Sequence, residues 1–266
     1  MRLSIVTPTL NAEAFLPELV ESILSESSEQ IEIEHIIVDA GSTDSTVAIA
    51  QGAGCRLLQD GDDGIFDAID KGTRAATGDL VSFLGADDTL TRGASSAVAN
   101  WYGSRTSDWA VGGVRWIDRN GESLGDIAAP PNWMTRGLYT SLRWNCVHHQ
   151  STWMTPEFYA KVGGFNPEYR FVGDYDFFSR ALKISRFNRL PVTVATFRRH
   201  DANASDSGDP RIDEEYVRIL ERDGPHGSVQ RRLYRELMRV WQNARNPRWF
   251  LHKKAPSFFT QSNGAS

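Results

Sequence analysis

The chain has almost no cysteine: Cys55 and Cys146 are the only two in 266 residues. They stand far apart and outside any Cys-x-x-Cys or Cys/His zinc spacing, which excludes a disulfide framework and a structural zinc site and leaves buried free thiols as the expected state. Long hydrophobic runs are missing too. No stretch of about 18 uncharged apolar residues occurs, so a membrane-spanning helix is not expected. The opening Met1-Arg-Leu-Ser-Ile-Val-Thr7-Pro lacks a signal-peptide pattern, and a cytoplasmic location is expected. There is no internal repeat and no basic excess. The net charge of −5 argues against general nucleic-acid binding. What is present is ordinary for a soluble globular chain: 40% hydrophobic and 24% charged residues, enough to bury a real core.

Hydrophobic periodicity alternates between the two kinds of regular structure. Residues 3–7, 33–38, 56–59 and 80–84 read as buried strands. Residues 11–24, a segment containing Val47-Ala-Ile-Ala50, and residues 65–76 read as helices. This β-α-β-α rhythm predicts an α/β fold, with a mostly parallel, Rossmann-like sheet and helices on both faces. Beyond residue 90 the rhythm changes. A strand from Trp109 to Asp118, a turn at Asn120-Gly121 and a Pro-rich loop at residues 129–132 predict mixed or antiparallel additions. A helix over most of 172–184, a strand at 190–197 and a polar loop at 201–210 follow. Two parts are expected, a domain at 1–224 and a basic helical extension at 225–266. Residues 225–256 carry eight Lys/Arg against Glu236, a net of +7 against −12 for the remainder.

The most informative residues are Asp87 and Asp88, adjacent carboxylates just past the strand at 80–84. In an open α/β sheet, ligands bind outside the carboxyl ends of the strands. Two like charges side by side repel, and a hard divalent cation bridging to phosphate oxygens compensates them. The structural alternative is a helix cap at Asp88-Thr89. Elsewhere, Thr7, Pro8, Thr9 and Asn11 form a strand-to-helix turn in which Asn11 suits an N-cap, and Asp39 suits a cap of the next helix. Asp67 and Lys71 are four apart on one helix face, the spacing of a surface ion pair. Asp60, Asp62 and Asp63 flank glycines and read as a solvated loop.

Five blocks, taken together and in order, resemble the family 2 glycosyltransferases. They are Ser4-Ile-Val-Thr-Pro-Thr-Leu-Asn11, Ile36-Ile-Val-Asp-Ala-Gly-Ser-Thr-Asp-Ser-Thr46, Asp63-Gly-Ile-Phe-Asp-Ala-Ile-Asp-Lys71-Gly, Gly78-Asp-Leu-Val-Ser-Phe-Leu-Gly-Ala-Asp-Asp88, and Val162-Gly-Gly-Phe-Asn166 followed by Gly173-Asp-Tyr-Asp-Phe-Phe-Ser-Arg180. The resemblance covers residues 2–205 and points to the bacterial surface-polysaccharide type. It implies a GT-A fold, a nucleoside-diphosphate sugar as donor (UDP-linked by expectation), a glycan or polyprenyl-linked acceptor, Mn²⁺ or Mg²⁺, and inversion at the transferred carbon.

By the same resemblance, Thr7, Pro8, Thr9 and Asn11 line base and ribose, with Glu13 nearby, Asp39 accepting from a base N–H and Lys71 on the diphosphate. Asp87 contacts ribose and metal, Asp88 binds the metal directly, and His200, in Arg198-Arg-His200 ahead of Ser205, is a third ligand. Asp174 is the base; Asp176 orients it or binds acceptor. Arg180 supports the fold by an ion pair. His149 and Gln150 lie on an acceptor-side segment. The family's first metal-motif carboxylate is replaced by Gly85 and its Glu before the base by Gly173. Two other functions stand beside this one: a nucleotidyltransferase, disfavoured because no Gly-rich Arg/Lys segment grips a triphosphate near the N-terminus, and a non-catalytic sugar-nucleotide or glycan-binding module. In the tail, Leu233, Leu237, Val240 and Trp241 recur at helical spacing among Arg231, Arg232, Arg235 and Arg239, followed by Trp249, Lys253 and Lys254. That pattern suits either packing on the acidic domain or peripheral contact with the inner face of the cell membrane.

Overall fold

The computed structural model describes residues 1–59, 63–142, 145–200, 203, 208–224 and 227–245. The chain runs β1 (Arg2–Thr9), α1 (Leu16–Leu24), β2 (Glu32–Asp39), α2 (Thr46–Gly52), β3 (Arg56–Leu58), α3 (Ile65–Ala75), β4 (Leu80–Phe83) and α4 (Ala94–Ser104). Then come β5 (Trp109–Ile117), β6 (Ser123–Ile127), α5 (Arg136–Thr140), a 3-10 turn (His149–Ser151), β7 (Thr152–Met154), α6 (Pro156–Val162), α7 (Gly173–Ile184), β8 (Asn188–Arg198), α8 (Pro210–Asp223) and α9 (Ser228–Arg245).

All eight strands join one sheet of order β3-β2-β1-β4-β7-β5-β6, with β8 on β5. The first four are parallel, β7 is antiparallel to both β4 and β5, and β8 is parallel to β5. The switch from the parallel half to the mixed half falls at the β4–β7 seam, so β4 delivers its following loop to the junction. Side chains alternate along the strands. Val6, Ile36, Val38, Val81 and Phe83 pack with α3, α5, α6 and α7 on one face, while Leu3, Ile5, Ile37 and Leu80 pack with α1 and α4 on the other. The helices thus cover both faces, and the α/β expectation holds. Gly72 lets α3 lie against β1, since a Cβ there would run into Val6 and Val38.

Three local expectations change. The helix expected from residue 11 begins at Leu16, because Asn11 sits at φ +51°, outside helical space; Asn11 is not its cap. Helix α4 starts at Ala94 behind Gly93, so Asp88 is not a helix cap. Helix α8 was not expected, although Asp209 caps it through a bond from the Arg211 N–H and Pro210 opens it. Both cysteines are free, Cys146 buried and Cys55 half-buried. The expected loop residues Asp60 and Asp62, Ser205, and the tail from residue 246, including Trp249, Lys253 and Lys254, lie outside the described residues.

Candidate active site

The segment after β4 is tied across the sheet to the end of β8. Thr196 N–H donates to the Thr89 carbonyl at 2.8 Å and Thr89 N–H donates to the Thr196 hydroxyl at 2.9 Å. Two residues on, Arg198 N–H donates to Asp88 Oδ1 at 3.0 Å, and the almost fully buried Arg198 guanidinium spreads over four partners. Nε reaches the Asp87 carbonyl at 2.7 Å, Nη1 the carbonyls of Asp118 and Arg119, and Nη2 the Glu18 carboxylate at 2.5 Å. One arginine therefore pins the Asp87-Asp88 turn to α1 and to the β5–β6 turn. His200 follows, with Nε2 at 2.8 Å from Asp87 Oδ2 and its ring stacked on Phe15 at 5.2 Å.

Asp88 is 2% exposed. Burial, and then the neighbouring Asp87 charge, push its carboxyl up to about 7, against the smaller opposing effects of the Arg198 N–H, His149 and Gln150. Both carboxylates lean over Gly85. A Cβ at that position would stand 2.6 Å from Asp87 Oδ1 and 3.0 Å from Asp88 Oδ2. A side chain at Gly85 would push the two carboxylates aside.

On the other side of the crevice, Asp174 lies in the first turn of α7. Its Oδ2 accepts from Asn145 Nδ2 at 2.6 Å and from His149 Nδ1 at 3.3 Å, and its Oδ1 from the Tyr175 N–H at 2.7 Å. Asn145 is itself fixed by the Tyr139 hydroxyl at 2.7 Å, and Tyr139 stacks on Tyr175 at 4.6 Å. Burial opposes charging His149, but the bond to Asp174 and the charges of Asp174, Asp88 and Asp87 outweigh it, so its ring stays above the ordinary histidine value. The backbone before α7 is gripped by the buried Glu215 of α8, which accepts from the N–H groups of Arg170, Phe171 and Val172 at 2.9 to 3.0 Å. Gly173, where the family shows Glu, faces the Phe66 ring; a Cβ would come within 2.6 Å of it.

The two carboxylate sites are linked by consecutive residues of one 3-10 turn. Gln150 lies beside Asp88 and favours its charged form, and His149 Nδ1 stands 3.3 Å from Asp174 Oδ2. Gln150 is buried, and its Oε1 has no hydrogen-bond partner among the described residues. Asp176 corrects an expectation. It has no exposed surface and is held by Arg180 at 2.7 Å and by Arg222 of α8 at 2.7 Å, so it locks α7 to α8 and has no surface to offer an acceptor. Arg180 supports the fold, as expected, also donating to the carbonyls of Val162 and Gly164.

At the ends of β1 and β2 the polar side chains are occupied by the chain itself. Asp39 accepts from Thr9 Oγ1 at 2.9 Å, Ser42 Oγ at 2.5 Å and the N–H groups of Gly41 and Ser42. Burial opposes its ionisation, but these bonds together hold its carboxyl below the usual range. Asn11 Oδ1 accepts from the Thr43 N–H and Glu13 from the Ser45 N–H, clamping the β1–α1 loop to the β2–α2 loop. Thr7 is buried with its hydroxyl 3.0 Å from His35 Nε2, which leaves its side chain no open surface for a nucleotide; Pro8 stays half-exposed. Lys71 pairs with Asp67 at 2.7 Å. Asn145 and Glu215 were not foreseen. Asn145 carries no spacing signal, whereas Glu215 lies on the unread α8.

The donor chemistry at β4 suits a hard divalent cation: two carboxylates, an imidazole and an orphaned amide oxygen. Among the described residues, no three His, Cys, Asp or Glu side chains already converge as a metal-ligating group.

Residues 4–155 match the sequence pattern of "Glycosyl transferase family 2". The chain belongs to this family. PGL/p-HBAD biosynthesis glycosyltransferases of Mycobacterium bovis and Mycobacterium tuberculosis are 32% identical over 206 residues, 73% of this chain and 75% of theirs. Among solved structures, S. aureus TarS 1-349 with UDP-GlcNAc superposes with a TM-score of 0.65 at 16% identity, over 97% of this family 2 chain and 77% of that one. The mannosyltransferase PcManGT of Pyrobaculum calidifontis, with GDP-Man and Mn²⁺, gives 0.62 at 19% identity over 87% and 67%. The chain spans 39% of a longer TarS structure. At these identities the structures establish the GT-A-like fold.

Proposed function

We propose that this family 2 glycosyltransferase is an inverting, divalent-metal-dependent enzyme that moves a sugar from a nucleoside diphosphate, UDP by expectation, to a hydroxyl of a glycan or polyprenyl-linked acceptor in surface polysaccharide synthesis. The observation that carries the reading is the 3-10 turn whose His149 stands 3.3 Å from Asp174 while its Gln150 is buried beside Asp88. A buried carboxylate, Asp88, and a partly exposed one, Asp174, thus flank one turn, which supports reading the first as donor-side and the second as the base. UDP-GlcNAc on TarS and GDP-Man with Mn²⁺ on PcManGT support a nucleotide-sugar donor and a metal.

In this reading Asp174 accepts the proton of the acceptor hydroxyl as that oxygen bonds to the anomeric carbon, on the face opposite the departing nucleoside diphosphate. Asn145 and His149 fix the Asp174 carboxylate for that role. Asp87, Asp88 and His200 would hold the metal, with Gln150 Oε1 as a further oxygen donor. The metal supplies charge neutralisation on the departing diphosphate. The β1 and β2 loops, held by Asp39, Asn11 and Glu13, give the nucleotide side its shape, with Thr9 and Pro8 at the strand end and Lys71 on α3 for the diphosphate.

A panel of nucleotide sugars with Mn²⁺, read by nucleotide release, tests this directly, and the anomeric configuration of the product tests inversion. Release that needs metal, is abolished by EDTA and is lost in Asp88→Ala is expected. Release indifferent to EDTA and to Asp88→Ala would remove the metal, and a retained anomeric configuration would remove Asp174 as a simple base. A non-catalytic sugar-nucleotide module would bind donor and release nothing.

A further inference from the structure

Helix α9 has two apolar faces. One is docked: Met238 is fully buried in the main core with Ile219 of α8, and Trp241 meets Trp133 edge-on at 6.0 Å. The other is open. Val229, Leu233, Leu237 and Val240 are 81%, 56%, 44% and 66% exposed, at intervals of four, four and three residues that set them in one stripe. The stripe inferred from sequence therefore divides, with Trp241 turned inward and the three aliphatic residues turned out. Single exposed aliphatic residues need no explanation, but a contiguous stripe does.

Charge indicates what covers it. Arg232 and Arg239 run along one side of the stripe with Glu236 between them and it, and α9 as a whole carries five arginines against Glu236, which pairs with Arg239 at 3.2 Å. Among the described residues, Arg231, Arg232 and Arg235 have no carboxylate partner, although the rest of the protein is strongly acidic. A second copy placed on this stripe would bring two such cationic helices together. An anionic bilayer complements it and repels the acidic body, which also fixes orientation. Beyond Arg245 the sequence continues in kind, with Arg248, Trp249, Phe250, Lys253 and Lys254.

We propose that the outward face of α9 docks the enzyme on an anionic lipid surface with its acceptor side toward the bilayer. Helix α9 packs on α5, and α5 carries Tyr139, whose hydroxyl holds Asn145 and through it the Asp174 carboxylate. The docking helix and the base are thus one short helix apart, and a lipid-linked acceptor is presented on the flank that receives it. This deepens the proposed function and rests on its reading of Asp174 and of the acceptor.

The test is co-sedimentation of the full chain with phosphatidylglycerol-containing and pure phosphatidylcholine vesicles, at low and high salt. Wild type should pellet with anionic vesicles at low salt and be released by high salt or by their absence. Arg232→Ala/Arg239→Ala should lower partitioning on the order of twentyfold, roughly fivefold for each arginine. Leu233→Glu/Leu237→Glu should abolish it while circular dichroism and donor-dependent nucleotide release in vesicle-free solution remain unchanged. Wild type left in the supernatant, equal pelleting with both lipids, or variants that bind like wild type would overturn docking. Sedimentation velocity without vesicles adds a further check: a dimer dissolved by the leucine substitutions would assign the face to a second copy and overturn it too. Vesicle binding without any nucleotide release supports docking while removing the catalytic reading, and release without binding does the reverse.

Discussion

The crevice has two rims, and their carboxylates are in opposite states. On the β1–β2 rim, Asp39 accepts four hydrogen bonds and is stabilised as an anion, and Glu13 and Asn11 are likewise spent on backbone N–H groups. On the β4–α7 rim, Asp88 is buried beside another carboxylate and its ionisation is opposed, with an amide oxygen left orphaned next to it. Satisfied charges build a shape, whereas frustrated charges wait for a ligand. The difference separates residues proposed to mould the nucleotide side from residues proposed to do chemistry, even where both are strand-end aspartates.

The sharpest way to break this comparison is at the base. Asp174→Asn keeps the bond acceptor for Asn145 but removes the proton acceptor, so transfer should fall about 10²- to 10⁴-fold with donor binding retained. Isothermal titration with UDP and single-turnover transfer measure the two separately. Raised donor Kd with normal turnover would move Asp174 to the shaping class.

Next in size is the buried lock behind the base. Asp176→Ala removes the shared partner of Arg180, which keeps the carbonyls of Val162 and Gly164, and of Arg222, which keeps Asp223, and should cost about 2–3 kcal/mol of stability. Urea unfolding checks it. A loss under about 1 kcal/mol would mean that the two arginines find water or other partners.

The frustrated rim makes a prediction with a sign. Because the Asp88 carboxyl rises from 3.8 to about 7 on folding, the folded ligand-free protein keeps a proton that the unfolded chain has released between those values. The unfolded state then binds fewer protons, so this contribution to stability falls as pH rises through that window and its full penalty is present above about 7. Asp88→Asn should therefore stabilise the ligand-free protein near about pH 8, with the gain vanishing toward about pH 4. Mn²⁺ displaces the same proton, so its thermal stabilisation of wild type should grow over the same rise in pH. Differential scanning fluorimetry across pH reads both. On the opposite rim, burial drives His35 down to about 3, so its contribution is lost as pH falls from 6.5 toward that value.

Much of this contrast was legible in the sequence, but only to the level of residue type. The β-α alternation predicts the parallel half, and the strand-end position of Asp87 and Asp88 marks the crevice, because strand ends are where side chains meet ligands in such sheets; Asp174 is read from the start of a helix instead. The states of the carboxylates were not legible. Asp39 and Asp88 look alike as strand-end aspartates, and what separates them is a set of partners brought from residues 9, 41 and 42 in one case and from 87, 150 and 198 in the other. Asp176 looked like a site residue because it neighbours Asp174, yet two positions along a helix turn a side chain to another face. Helix α8 had an Asp cap, a first-turn proline and apolar residues at Ile212, Tyr216 and Ile219, and the polar loop before it drew the reading away. Gly85 and Gly173 registered only as departures from a pattern until the neighbours that fill their space, the two carboxylates and the Phe66 ring, were visible.

The smallest effect tests the satisfied rim. Thr9→Val removes one of the four donors to Asp39 without changing the side-chain shape much, and β1–β2 register keeps the two residues paired. Three donors remain, so the Asp39 carboxylate stays ionised and the loop at Gly41 and Ser42 stays folded. The expected cost is about 0.5–1.5 kcal/mol of stability, the ordinary worth of one hydrogen bond. Turnover at saturating donor should be unchanged, because in this reading the rim shapes the nucleotide site and takes no part in proton transfer. Chemical denaturation gives the first quantity and steady-state kinetics the second. A fall in kcat as large as that of Asp174→Asn would show that Asp39 acts on the reacting atoms, and the division of the crevice into a shaping rim and a reacting rim would have to be abandoned.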